Sequence, residues 1–327
     1  MKAIVQHAYG SADVLKPEDI PTPAPKDDQV LIKVHAAALN PLDWRMMKGV
    51  PFVFRKMMKL RQPTPAHPVG IGRDVAGVVE AVGKNVAHFQ AGDEVFGTCE
   101  ASVAEYACAK ESALVNKPAE VTFEQAAATP VAGLTALQGL RDRAKLQTGQ
   151  AVLINGASGG VGTFAVQVAK YLGAHVTGVC STRNVELVKS IGADAVIDYT
   201  QSDFTKGEKR YDFIFECVGS KTFAECRPVL QPAGRFVGIG APHDVSMIEI
   251  ASSMIKNAAL SLAGSQKAST FIAKSSQADL TLLGELIATG KIAPVIDRRY
   301  ALPETAEAIR YLEQGHARGK VVIAVSS

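Results

Sequence analysis

The run Gly156-Ala157-Ser158-Gly159-Gly160-Val161-Gly162 lies between an apolar pentapeptide, Ala151 to Asn155, and a helical pattern, Val161 to Leu172, that stops at Gly173. Glycines in that place allow a tight turn, let backbone approach a pyrophosphate, and let a helix pack closely on a strand. The anion would then rest on free N–H groups at the positive end of the helix. Gly156, Ser158, Gly159, Gly160, Val161 and Gly162 are therefore candidate cofactor-binding residues. The spacing is G-x-x-G-x-x-G rather than the commoner G-x-G-x-x-G, and no Lys-Ser/Thr ending follows, so the run does not read as a P-loop. A glycine turn that binds nothing is the plain alternative. The strand before it, the helix after it and a further strand at βαβ distance favour the nucleotide.

The surrounding pattern predicts a parallel sheet. Strands are expected at Ala151 to Asn155, Val176 to Cys180, Ala195 to Ile197, Phe213 to Glu216, Phe236 to Ile239 and Ala258 to Leu262, with a helix around Val185 to Ser190. Strands alternating with helices imply helices on both faces of the sheet. Before residue 123 the texture differs: β-rich runs at Ala3 to Val5, Val30 to Val34 and Val75 to Val82 are broken by proline-dense connectors. Phe123 to Leu140 reads as helix, with a break expected at Pro130 or Gly133. From Ala278 the order is helix to Ala288, strand Val295 to Tyr300, helix Pro303 to Gln314 and strand Val321 to Val325.

Charge at the end of the second strand bears on the nucleotide. An NAD site places Asp or Glu about 20 residues on, to bond the ribose 2′-hydroxyl. Here the strand runs into Cys180-Ser181-Thr182-Arg183-Asn184, with no acid before Glu186. Hydroxyls and a guanidinium suit a 2′-phosphate that a carboxylate would repel, so NADP(H) is expected. An ordinary solvated helix-start arginine is the alternative reading of Arg183. Lys plus Arg exceed Asp plus Glu by only three, which argues against a nucleic-acid partner. Five cysteines without tight spacing fit reduced thiols in a cytoplasmic protein, and no apolar run is long enough to span a membrane.

With these residues in hand the chain resembles the medium-chain dehydrogenase/reductase superfamily, in its zinc-independent quinone oxidoreductase (zeta-crystallin-like) branch. The resemblance rests on Ala38-Leu39-Asn40-Pro41-Leu42-Asp43, Gly72-Arg73-Asp74-Val75-Ala76-Gly77, Gly92-Asp93-Glu94-Val95-Phe96-Gly97, Gly133-Leu134-Thr135-Ala136, the glycine run, and Gly192-Ala193-Asp194. It implies an α/β protein with a GroES-like partial β-barrel catalytic domain, residues 1–124 and 272–327. A Rossmann doubly wound domain, residues 125–271, would be inserted between them, with nicotinamide and substrate meeting in a cleft. By the same resemblance Thr135 would lie near the nicotinamide, and Gly160 and Val161 near the pyrophosphate. Ser181, Arg183 and Tyr199 would surround the 2′-phosphate, and Val218 and Ile239 would line the groove. A homodimer is implied too, with Ala258 to Leu262 as the candidate pairing strand.

Zinc alcohol dehydrogenases carry Cys where this chain reads Asn40-Pro41-Leu42-Asp43, and Gly-His-Glu where it reads Gly72-Arg73-Asp74. Arg73 stays protonated and cannot ligate zinc. No metal is expected. A saturated alcohol needs a Lewis acid to stabilise its alkoxide as hydride leaves. A quinone or conjugated enone spreads the charge itself, so positioned hydrogen-bond donors can suffice. The expected activity is NADPH-dependent reduction of such an acceptor. Asn40 is the candidate donor to the reacting carbonyl, or else simply a turn former, and Asp43 would orient it or relay a proton. Trp44, Phe52 and Phe54, in a methionine-rich basic stretch, are candidate walls for a hydrophobic substrate, the alternative being an amphipathic helix with methionine turned inward. Two other readings stay open: a non-catalytic NADPH-binding protein, and an alcohol dehydrogenase-like enzyme.

Overall fold

The computed structural model describes residues 1–49, 61–240, 256–257, 260–262 and 264–325. Its contacts divide the chain into a first unit, Met1–Leu134 with Ser275–Ser327, and a second, Thr135–Lys274. The divisions fall ten and three residues beyond those expected from sequence. The first falls inside a helix, Pro130–Gln138, which Pro130 starts and Gly133 does not break.

In the first unit, β1 (Lys2–Gln6), β2 (Leu15–Asp19) and a later two-residue strand, Val69–Gly70, form a small sheet. The long β3 (Gln29–Leu39) organises the larger one. It pairs antiparallel with β5 (Asp74–Val82) and with β7 (Tyr106–Lys110), β4 being Val69–Gly70. Beyond β5 lie β6 (Glu94–Thr98) and β8 (Leu114–Asn116). The alternation that marks a half-exposed strand is missing from most of β3, because Val30–Ile32, Val34 and Ala36–Leu39 are all buried. Close strand approach is built in: a Cβ on Gly77 would lie 2.1 Å from the Lys33 carbonyl oxygen.

The second unit is a six-stranded sheet of β9 (Ala151–Asn155), β10 (His175–Cys180), β11 (Ala195–Asp198), β12 (Tyr211–Glu216), β13 (Leu230–Gly238) and β14 (Lys267–Thr270). All pairings are parallel and the order is β11-β10-β9-β12-β13-β14. The chain builds outward from β9, then returns to β12 on its other side, so the direction of winding switches between β9 and β12. In such sheets ligands bind beyond the carboxyl ends of the strands at that point. The helix Gly160–Tyr171 covers β9 and β10 with an unbroken buried run from Gly162 to Ala169.

One strand expectation is corrected. Leu260 to Leu262 are helical, and the outermost strand is β14; Ala258 and Ala259 lie outside the described residues. An apolar run this short has no period that separates strand from helix. The chain ends with the helix Gln277–Ala288, β15 (Ile296–Ala301), the helix Thr305–Glu313 and β16 (Lys320–Ala324), which returns to pair with β3 in the first unit.

Candidate functional site

The glycine run forms the turn from β9 into the helix. Gly156 has φ +80° and Gly162 has no room for a side chain, since a Cβ there would lie 2.0 Å from the Gly156 carbonyl oxygen. Gly159 differs. A Cβ on it would meet nothing closer than 3.4 Å, so packing within the protein does not demand glycine there. Close approach of a ligand would. Gly159 is also the helix N-cap and has no side chain to satisfy the first N–H groups, which leaves those of Gly160, Val161 and Gly162 at the positive helix end.

Next to this turn, Asn184 joins two segments. Its amide nitrogen donates to Ser158 Oγ (3.0 Å) and Ser181 Oγ (3.3 Å), tying the glycine turn to the end of β10. Its Oδ1 is buried without a hydrogen-bond partner, a deficit that a nucleotide donor would make good. Thr182 and Arg183 are exposed, as is Tyr199. Beside Tyr199, Asp198 accepts from Thr182 Oγ1 (2.5 Å) and from the Thr200 backbone and hydroxyl (2.9 and 2.8 Å). The Thr182 hydrogen bond holds its carboxyl below the ordinary range. This acid comes from β11, not from the end of β10, so scanning about 20 residues onward misses it. Together these groups offer hydroxyls and a cation to a 2′-phosphate, with the carboxylate already engaged.

At the switch point itself stand Asn155 and Glu216, the last residues of β9 and β12. Asn155 Nδ2 donates to Glu216 Oε2 (2.6 Å) and to Ser220 Oγ (2.9 Å). Glu216 Oε1 accepts from the N–H groups of Val218 (2.9 Å) and Gly219 (2.7 Å). Of the other expected groove residues, Val218 is exposed, Ile239 is half-buried and its N–H bonds the Glu216 carbonyl, and Thr135 is buried in Pro130–Gln138.

The first unit holds a second polar centre, assembled by strand register. Ala38 on β3 faces Asp74 at the start of β5, and Leu39 faces Val321 on β16, so Asn40, Asp74 and Lys320 meet at one end of the sheet. All three are almost wholly buried. Lys320 Nζ donates to Asn40 Oδ1 (2.6 Å), Asp74 Oδ2 (3.0 Å) and the Leu39 carbonyl (3.1 Å). Asn40 Nδ2 donates to the same Asp74 oxygen (3.0 Å), and Asp74 Oδ1 accepts from the Val131 N–H (2.9 Å). The ammonium and the carboxylate thus dictate which way the Asn40 amide points, and one Nδ2 hydrogen is left for another acceptor.

Asn40 also begins the helix Pro41–Lys48, with Pro41 at its first turn and its own N–H donating to Asp43 Oδ2 (2.7 Å). This helix start is the turn-forming role expected of Asn40-Pro41. Burial pushes the Asp43 carboxyl up to about 6.

Trp44 is corrected. It sits 4% exposed in a core with Ile4, Leu15, Met47, Ile71 and Leu302, which makes it a packing residue rather than a pocket wall. Met47 is buried and Lys48 exposed, as an amphipathic helix requires. Phe52 and Phe54 lie outside the described residues. The sequence reading missed Lys320, Asp74, Asn155, Asn184, Asp198 and Glu216 as site residues. Their only signal is an acid, amide or lysine at the first or last position of an apolar strand or in the first turn after it.

No group of three or more His, Cys, Asp or Glu side chains placed to hold a metal occurs among the described residues. No helix among them is long and apolar enough to cross a membrane.

Comparison with known proteins accords with this architecture. Residues 26–119 match the family described as alcohol dehydrogenase GroES-like domain, and 191–323 match zinc-binding dehydrogenase. A chloroplast envelope quinone oxidoreductase homolog of Arabidopsis thaliana is 36% identical, covering 99% of this chain and 98% of its own. A chloroplastic NADPH-dependent alkenal/one oxidoreductase of the same plant is also 36% identical, over 99% of this chain and 79% of its own. The solved quinone oxidoreductase of Coxiella burnetii superposes with a TM-score of 0.87 at 34% identity, covering 100% of this chain and 99% of its own. On these matches the chain belongs to the medium-chain dehydrogenase/reductase superfamily, in its zinc-independent quinone oxidoreductase branch.

Proposed function

We propose that the protein is an NADPH-dependent oxidoreductase that passes hydride to a quinone or an α,β-unsaturated carbonyl without a metal. The observation that carries this reading is the glycine turn at the switch point of the second unit, where Gly159 keeps side-chain space clear that no protein atom fills. The names of the relatives support the acceptor class.

When bound, NADPH supplies the hydride. The N–H groups of Gly160, Val161 and Gly162 hold the pyrophosphate, and Ser181, Arg183 and Tyr199 receive the 2′-phosphate end. Val218, Ile239 and Thr135 wall the groove toward the nicotinamide. In the first unit Asn40 gives its remaining amide hydrogen to the acceptor carbonyl, where negative charge develops. Asp43, titrating near 6, relays the proton that completes the reduction. The substrate is hydrophobic, with Phe52 and Phe54 as its proposed contacts.

A homodimer is proposed as well. The described strands leave β14 with a neighbour on one side only. Five unpaired cysteines support a reducing, cytoplasmic setting, although the two plant relatives carry chloroplast names. The test is loss of NADPH absorbance with a panel of quinones and enones. Turnover on at least one acceptor is expected; tight NADPH binding with no turnover on any would favour the non-catalytic reading.

A further inference from the structure

Glu216 is a carboxylate in an unexpected place. It is 1% exposed, at the carboxyl end of β12, beside a loop that receives an anion. No Lys, Arg or His among the described residues forms an ion pair with it. Its partners are instead three neutral donors: the Asn155 amide and the N–H groups of Val218 and Gly219. An ionised carboxylate is acceptor-only, and these donors engage both of its oxygens.

The bonds join three segments. Asn155 leads directly into the glycine turn, and its carbonyl accepts from the Cys217 N–H (3.1 Å). The Glu216 carbonyl accepts from Ile239 and Gly240 (3.0 and 3.3 Å) at the end of β13. Packing follows the same lines. A Cβ on Gly156 would lie 2.6 Å from Val218 Cγ2, and one on Gly240 would lie 2.3 Å from the Val218 carbonyl carbon. Residues 155–162, 216–220 and 238–240 are thus cinched together at the switch point, and Val218 is seated on the first glycine of the turn.

We infer that Glu216 is a positioning residue for the dinucleotide, its buried carboxylate fixing Val218 and Gly219 against the glycine turn so that the groove is shaped before the nucleotide arrives. This deepens the cofactor reading above and rests on it. Glutamine is the sharpest replacement. It has the same shape, but its NH2 cannot accept, so one of these donors loses its partner.

Titration calorimetry with NADPH on the full chain tests this, because it returns stoichiometry and Kd together. Glu216→Gln is expected to weaken binding by roughly tenfold or more, the loss of one to two charge-assisted bonds. Glu216→Asp, which keeps the acceptor charge, should lose less. In steady state the rise in KM for NADPH should exceed the fall in kcat. A merely structural role would lower the stoichiometry and leave the Kd of the remaining sites unchanged, and that result overturns the inference. Should Glu216→Gln fail to fold, Asn155→Ala decides, since it removes the amide that ties Glu216 to Ser220; a weaker Kd supports the inference and an unchanged one overturns it. Normal NADPH binding by the unaltered protein, with equal or tighter binding in the folded variants, also overturns it alone. No binding by the unaltered protein overturns the cofactor reading itself.

Discussion

Replacing Asp43 by asparagine removes a charge that the fold has to bury. The carboxyl rises from 3.8 to about 6, chiefly through burial, with Asp74 pushing it further up and Lys320 and Arg73 pulling it down. A rise of roughly two units corresponds to about 3 kcal/mol of preference for the protonated form in the folded state. The sign follows from linkage. Because the folded value is the higher one, this stabilisation is complete below the ordinary carboxylate range and is lost as pH climbs through about 6. Asparagine keeps an oxygen to accept the Asn40 N–H and does not titrate. The stability of the unaltered protein minus that of Asp43→Asn should therefore fall by about 1 to 2 kcal/mol between about pH 5 and about pH 8, then level off. Trp44 is the only tryptophan and lies in the core of the first unit, so its fluorescence during urea unfolding follows the relevant part of the molecule. A difference that stayed flat across this range, or grew with pH, would refute the reasoning.

Gly159 and Gly162 of the turn should separate cleanly. Gly162→Ala drives a methyl to 2.0 Å from a backbone oxygen and should cost at least about 3 kcal/mol or prevent folding, whereas Gly159→Ala should melt near normally yet bind NADPH poorly. Arg183→Glu should invert the preference for NADPH over NADH, measured as the ratio of the two Kd values. Lys320→Met leaves the Asp74 carboxylate buried beside Asn40 without its cation, which should destabilise the first unit by about 3–5 kcal/mol. Adding Asp74→Asn to it should recover part of that loss in the same urea titration.

The inner strands of the second unit, β9, β10 and β12, were legible from sequence because they are buried on both faces and the turn after β9 is punctuated by glycine, whereas the edge strand β14 carries no buried residue and was missed. The helix Val185–Ser190 and β9 fell where the pattern put them. In the first unit the pattern gave short strands before residue 123 and the helix, strand, helix, strand order from Ala278, but not how the strands pair. The polar centre there depends on register between β3, β5 and β16, and nothing local in Gly319-Lys320 distinguishes a buried lysine from a solvated strand end. Asn155 and Glu216 are 61 residues apart and meet only because the chain returns to β9 after building two strands on its other side. Asp198 shows the opposite failure: it is adjacent in sequence to Tyr199, yet it lies on β11, the neighbour of the strand whose end was expected to carry the acid. Trp44 was drawn toward a substrate by its company of methionines and cations, yet the helix phase turns it inward with Met47.

Hydride transfer from NADPH to a conjugated carbonyl with no ion to help is the central proposal. Rapid mixing of the purified protein with NADPH deuterated on one face at C4, a quinone and a strong chelator measures this directly. The expected result is acceptor-dependent oxidation at an undiminished rate, with deuterium lost from a single face. Activity that vanishes with the chelator and returns with zinc would contradict it.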